Sequence, residues 1–79
     1  MPRFPTVTSE EMVAVLLRVG FALSRQAGSS HAIYRRAADG QRTVVPIHAR
    51  RTLKRRTVAA ILRDAGLDVA ELRRLLLSR

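Results

Sequence analysis

The chain has 79 residues, 47% of them apolar, and its 15 basic residues against 6 acidic ones give a net charge of +9. That length suits one domain over residues 1–79, and so short a chain buries only about 60% of the surface its unfolded form exposes, so a bound partner adds usefully to its stability. Cysteine is absent, which excludes a disulfide framework and a thiolate zinc site and suits a reducing cytosol; the longest apolar run, Met12 to Leu17, falls far short of the roughly 20 residues that cross a bilayer, so neither a membrane span nor a signal peptide is read.

The first element is announced by Thr8 and Glu11, spaced as a capping box, with Val7 and Met12 flanking it as a hydrophobic staple. The apolar positions Met12, Val13, Leu16, Leu17 and Val19 follow a helical period and Gly20 offers a left-handed stop, predicting a helix over residues 9–19. Next, Phe21, Leu23 and Arg25 alternate with Ala22, Ser24 and Gln26, the pattern of a strand that ends in the turn Gly28-Ser29-Ser30. A second strand is read from His31 to about Arg36, Asp39-Gly40 supplies a hairpin turn, and a third runs from Gln41 to Ile47 with Pro46 near its end or on an edge. After a basic stretch from Ala49 to Arg56, Thr57 is read as the cap of a helix with Val58, Ile61, Leu62 and Ala65 on one face and Gly66 at its close. Asp68 and Glu71, flanked by Leu67 and Leu72, repeat the capping signal and open a short last helix buried through Leu72, Leu75 and Leu76. The expected fold is α+β: a three-stranded antiparallel meander packed by helices, in the order α-β-β-β-α with a short C-terminal α.

Fourteen of the 15 basic residues are arginine, and ten of the 15 lie between Arg18 and Arg56 against the single acid Asp39. Arginine's planar fork grips phosphate and stacks on bases, so a nucleic acid is the leading partner, although arginine-rich codon usage would also enrich it. Without cysteine, imidazole is the side chain best suited to move protons near neutral pH, and the chain has two, His31 and His48. A base that deprotonates a ribose 2′-hydroxyl lets that oxygen attack the adjoining phosphate, with arginines stabilising the charge that develops. The acids Glu10, Glu11, Asp39, Asp64, Asp68 and Glu71 are scattered, so no metal site is expected. Spacing alone leaves both histidines open: His31 begins a strand after a turn whose amides suit phosphate, His48 follows one, and either is as readily structural. Among the arginines, Arg35, Arg36 and Arg42 surround the hairpin, while Arg50, Arg51, Lys54, Arg55 and Arg56 form the basic loop; a charge run is usually a solvated face, but eight cations flanking one turn favour phosphate contact. Tyr34, the only tyrosine, reads equally as a base-stacking platform or a core residue.

The segments Gly20-Phe21, Gly28-Ser29-Ser30-His31, Tyr34-Arg35-Arg36, Val45-Pro46-Ile47-His48, Leu53-Lys54-Arg55-Arg56-Thr57-Val58 and Ile61-Leu62-Arg63-Asp64-Ala65-Gly66 resemble, in this order and over nearly the whole chain, the HicA family of toxin–antitoxin modules. The resemblance implies a fold like the double-stranded RNA-binding domain and a metal- and cofactor-independent endoribonuclease that cleaves messenger RNA in the cytoplasm of a bacterium or archaeon. It also implies neutralisation by a HicB-type antitoxin, with no membrane or small-molecule partner. It maps the catalytic histidine onto His31 and gives Ser29, Ser30 and His48 supporting roles. Two departures are visible: Arg56 stands where the family has Gly before Thr57, which predicts a different start for that helix, and the turn carries one extra serine before His31. The competing readings are a non-catalytic double-stranded RNA binder using the same face and a small DNA-binding regulator, which lacks a recognition helix suited to a major groove.

Overall fold

The structure, a computed structural model, describes residues 4–28, 30–48 and 51–78. The element order is α1 (Ser9–Arg18), β1 (Phe21–Ala27), β2 (His31–Arg36), β3 (Arg42–Pro46), α2 (Arg55–Ala65) and α3 (Val69–Leu77). The strands form one antiparallel sheet in the order β1-β2-β3, as the meander reading expects. Among the described residues no helix is long and apolar enough to cross a membrane.

Both capping boxes form. The Glu11 amide donates to Thr8 Oγ1 at 3.1 Å while the Thr8 amide donates to Glu11 Oε1 at 2.9 Å, and Asp68 and Glu71 exchange the equivalent bonds at 2.8 and 3.1 Å. Each satisfies amides that a helix start leaves without partners. Val7 and Met12, the first staple, are both fully buried. Gly66 closes α2 in the left-handed region at φ +71°, and the Leu67 amide reaches back to the Leu62 carbonyl, a Schellman turn that launches α3.

The helices cover one face of the sheet. Phe21, Ala32, Tyr34, Thr43 and Val45 point into the core beside Met12, Leu16, Val58, Ile61, Leu62 and Leu72, and Thr43 Oγ1 donates to Asp64 Oδ2 across to α2 at 2.9 Å. On the other parity of β2 and β3, His31, Arg35, Arg42 and Val44 are exposed, while Ile33 and Pro46 are half-buried.

Two local expectations are corrected. In β1 the simple alternation fails, because Leu23 pairs with Tyr34 while Arg25 pairs with Ile33. A bulge at Ser24 therefore turns Arg25 to the face opposite Leu23, as an inserted residue does in a period-two strand. The second correction concerns α2, which starts at Arg55 with Lys54 at its N-cap and no side-chain cap bond; Thr57 lies inside its first turn. Arginine is a good helix former, so Arg55 and Arg56 extend the helix backwards. The preceding segment is fixed at long range: the Leu53 amide donates to the Val7 carbonyl at 2.7 Å, and Thr8 and Thr52 form an isolated antiparallel bridge.

Candidate active site

The β2–β3 register sets His31 directly opposite Pro46, and the Ile47 amide donates to the Ser30 carbonyl at 2.7 Å. The turn before β2 and the segment after β3 are thereby held side by side, which brings His31 and His48 to one end of the sheet. Both line a cleft of about 450 Å³ whose other wall is the approach to α2, with Arg51, Lys54, Arg56 and Thr57. Both histidines are exposed. Ser30 Oγ lies 3.2 Å from His31 Nδ1: when Nδ1–H donates to the hydroxyl, Nε2 is bare and can accept a proton, and when the hydroxyl donates to Nδ1, Nε2 carries one.

The cleft is electrostatically positive for two reasons that add. An uncapped helix N-terminus presents unpartnered amides and the positive end of the helix dipole, and α2 has no acid in its first turn, where Arg55 and Arg56 stand instead. Lys54, Arg51 and Arg56 surround that terminus. Such an arrangement suits a phosphate group.

A residue that sequence reasoning did not single out holds this site together. Ser9, 1% exposed, donates from Oγ to the Pro46 carbonyl at 2.7 Å and accepts from the His48 amide at 3.2 Å. It thereby ties the His48 segment to the first turn of α1. Its position just after the Thr8 cap gave no sign of a contact to a segment 37 residues away.

Other residues read as candidates fall elsewhere. Tyr34 is 7% exposed and packs in the core, so it offers no stacking face, because its even-numbered parity in β2 turns it to the helices. Arg36 shares that parity and is engaged structurally: its guanidinium donates to both Asp39 carboxylate oxygens at 3.0 and 2.9 Å and to the Val19 and Ala65 carbonyls at 3.1 and 3.2 Å. Arg36 also lies 4.6 Å from the Phe21 ring centroid. The guanidinium of Arg55 stacks over Phe4 at 5.3 Å, on the N-terminal side of α2. Arg35 and Arg42 face each other across β2 and β3 at the end of the sheet away from His31, and Arg42 continues into a groove along β3 that shares Arg56 and Thr57 with the histidine cleft. Ser29 and Arg50 lie outside the described residues.

A search of curated proteins found no match to this sequence. A family model described as the HicA toxin of bacterial toxin–antitoxin systems matches residues 9–67, a span that runs from Ser9 through both histidines and the whole of α2. The chain thus belongs to the HicA toxin family, and membership implies an antitoxin as its cognate partner.

Proposed function

We propose that this single domain is the toxin of a type II toxin–antitoxin pair and acts as a metal-independent endoribonuclease on messenger RNA, inhibiting translation and growth. The observation that carries this reading is the cleft that His31 and His48 share with Arg51, Lys54 and Arg56 at the open start of α2.

In this mechanism His31 Nε2 accepts the proton of a ribose 2′-hydroxyl as that oxygen attacks the neighbouring phosphorus. The 2′-oxygen–phosphorus bond forms, the bond to the 5′-oxygen breaks, and the leaving 5′-oxygen takes a proton from protonated His48. The products are a 2′,3′-cyclic phosphate and a free 5′-hydroxyl. Charge that builds on the phosphoryl oxygens is stabilised by Arg51, Lys54, Arg56 and the first amides of α2. The partner on this reading is a HicB-type antitoxin that occludes the cleft with acidic residues, and its capture is accelerated by electrostatic steering. Messenger RNA as substrate implies action in the cytoplasm.

The test is tightly repressed expression of the wild type and His31→Ala, scored for growth and RNA integrity, with purified protein assayed in a chelator. The wild type is expected to arrest growth and cut RNA without added metal, while His31→Ala binds RNA and leaves it whole. Cutting by His31→Ala at the wild-type rate overturns the assignment; binding without cutting by the wild type favours the non-catalytic RNA binder instead.

A further inference from the structure

We propose that the uncovered face of the sheet is a track for a single RNA strand leading away from His31, with Arg25, Arg35 and Arg42 contacting its phosphates. This deepens the ribonuclease reading and rests on it for the location of the cut.

The register arranges the open face in three rows. His31 and Pro46 form the first, Arg25, Ile33 and Val44 the second, and Arg35 and Arg42 the third. Successive rows are two residues apart along β2, about 6.6 Å, which is close to the spacing of consecutive phosphates in an extended strand. Arg25 belongs to this face only because of the bulge at Ser24, which turns it away from the parity of Leu23. Bulges commonly re-aim a side chain beside a functional site.

Charge on this face is uncompensated. Arg35 stands directly opposite Arg42, a like-charge cross-strand pair that costs stability, and no acidic residue stands in the three rows; Asp64 lines the groove at the Arg42 edge, where it accepts from Thr43. Of the six acids, Glu10, Glu11, Asp64, Asp68 and Glu71 lie on the helices and their caps, and Asp39 pairs with Arg36. None of the three arginines forms an ion pair with an acid among the described residues, whereas Arg36 does, with Asp39. A polyanion laid across the rows removes that repulsion. Beside Arg25 in the second row, Ile33 and Val44, the latter 39% exposed, form an apolar strip on which bases can rest.

The chemistry selects a single strand over a duplex. Attack by a 2′-oxygen needs that atom in line with the departing 5′-oxygen, and a regular A-form helix holds it out of line, whereas an unpaired strand rotates freely.

The experiment measures binding in a His31→Ala background, so that it reads the track whether or not the chain cleaves. Arg25→Gln, Arg35→Gln and Arg42→Gln are combined, folding is verified by thermal melting, and affinity is followed against salt. The probes are a fluorescent single-stranded oligoribonucleotide of about a dozen nucleotides, the same strand annealed to its complement, and poly-glutamate. Each phosphate contact to a single strand contributes about 0.7 to the slope of log affinity against log salt. The expected result is a slope shallower by about 2 for the single strand, with the duplex little changed. An unchanged single-strand slope overturns the track, as does an equal loss for the duplex; an unchanged single-strand slope with weakened poly-glutamate binding identifies the face as a surface for an acidic protein partner and likewise overturns it.

Discussion

Strand β2 begins at His31 and ends at Arg36, and its two ends are opposite in kind. At the Arg36 end the C-termini of α1 and α2 converge, and one guanidinium takes the Val19 and Ala65 carbonyls together with Asp39, neutralising the negative ends of two helix dipoles. At the His31 end the opposite pole of α2 is left open, with no cap and with Lys54 and Arg56 lining the cleft beside it. The same helix is compensated at one terminus and left positive at the other. An arginine in this chain is therefore structural where carbonyls and an acid surround its guanidinium, and available to an anion where only other cations do.

The sharpest way to break that comparison is to remove one residue from each end. His31→Ala is expected to lower RNA cleavage by about 100- to 10,000-fold, the range for loss of a general base, with an unchanged melting temperature because the ring is exposed. Arg36→Met is expected to do the reverse. It leaves two helix-terminal carbonyls without their donor, lowers the melting temperature by several degrees, and preserves cleavage at temperatures where the variant is folded. Calorimetry and cleavage assays on the two variants decide it: a catalytic loss in Arg36→Met without a loss of stability contradicts the division of roles.

What could be read from the sequence follows the range of the forces involved. The capping boxes at Thr8–Glu11 and Asp68–Glu71 are local, and both formed where their spacing predicts. That the two histidines meet at one end of the sheet was partly accessible: a two-residue turn at Asp39-Gly40 would pair position 31 with position 48, whereas the chain closes through residues 37–40, with the Arg36 amide on the Gln41 carbonyl, and sets His31 against Pro46. The parity of Tyr34 and Arg36 was not, because it depends on which face of β2 the helices cover. The bulge at Ser24 carries no glycine to announce it. The start of α2 was misplaced because Thr57 resembles a cap, whereas Leu53 is fixed by Val7 some 46 positions earlier in the chain, a contact between strand-like segments that no local pattern encodes. Ser9 escaped notice for the same reason.

Ser9 supplies the next test of the site end. Ser9→Ala leaves the part-buried Pro46 carbonyl and His48 amide without their shared partner, a loss of about 0.5–1.5 kcal/mol of stability, readable from urea denaturation. If the hydroxyl also positions His48, cleavage at saturating RNA falls in the folded variant while RNA affinity is retained. A stability loss with unchanged turnover would confine Ser9 to holding the fold.

The open pole of α2 invites a substitution that improves the fold and harms the site. Lys54→Asp places a strong N-cap residue where the backbone is already extended, at φ −64° and ψ 146°. The gain expected from capping is about 1 kcal/mol, seen as a higher urea midpoint. The same change removes a cation from the cleft and adds an anion, so RNA affinity and cleavage both fall. Stability traded against function is the expected mark of a functional terminus; a variant that gains stability and keeps full RNA affinity shows that the pole does not meet phosphate.

The smallest effect belongs to the Arg36–Asp39 pair and is best read through pH. The hydrogen bonds from the Arg36 guanidinium, more than any other contact, hold the Asp39 carboxyl below its ordinary range, with the Gln41 amide assisting. A carboxyl with a depressed folded-state pKa stabilises the fold above its unfolded value of about 4 and loses that contribution as pH falls through the folded value. Wild type is therefore expected to melt slightly above Asp39→Asn at neutral pH, by a small margin because the aspartate side chain is 45% exposed and solvent screens the pair. The margin should shrink below about pH 4 and close once Asp39 is protonated. Asparagine still accepts from the Gln41 amide, so a margin that persists unchanged into acid would assign the effect to the turn rather than to the charge, and would leave the two helix carbonyls and the Phe21 ring to hold Arg36 where it is.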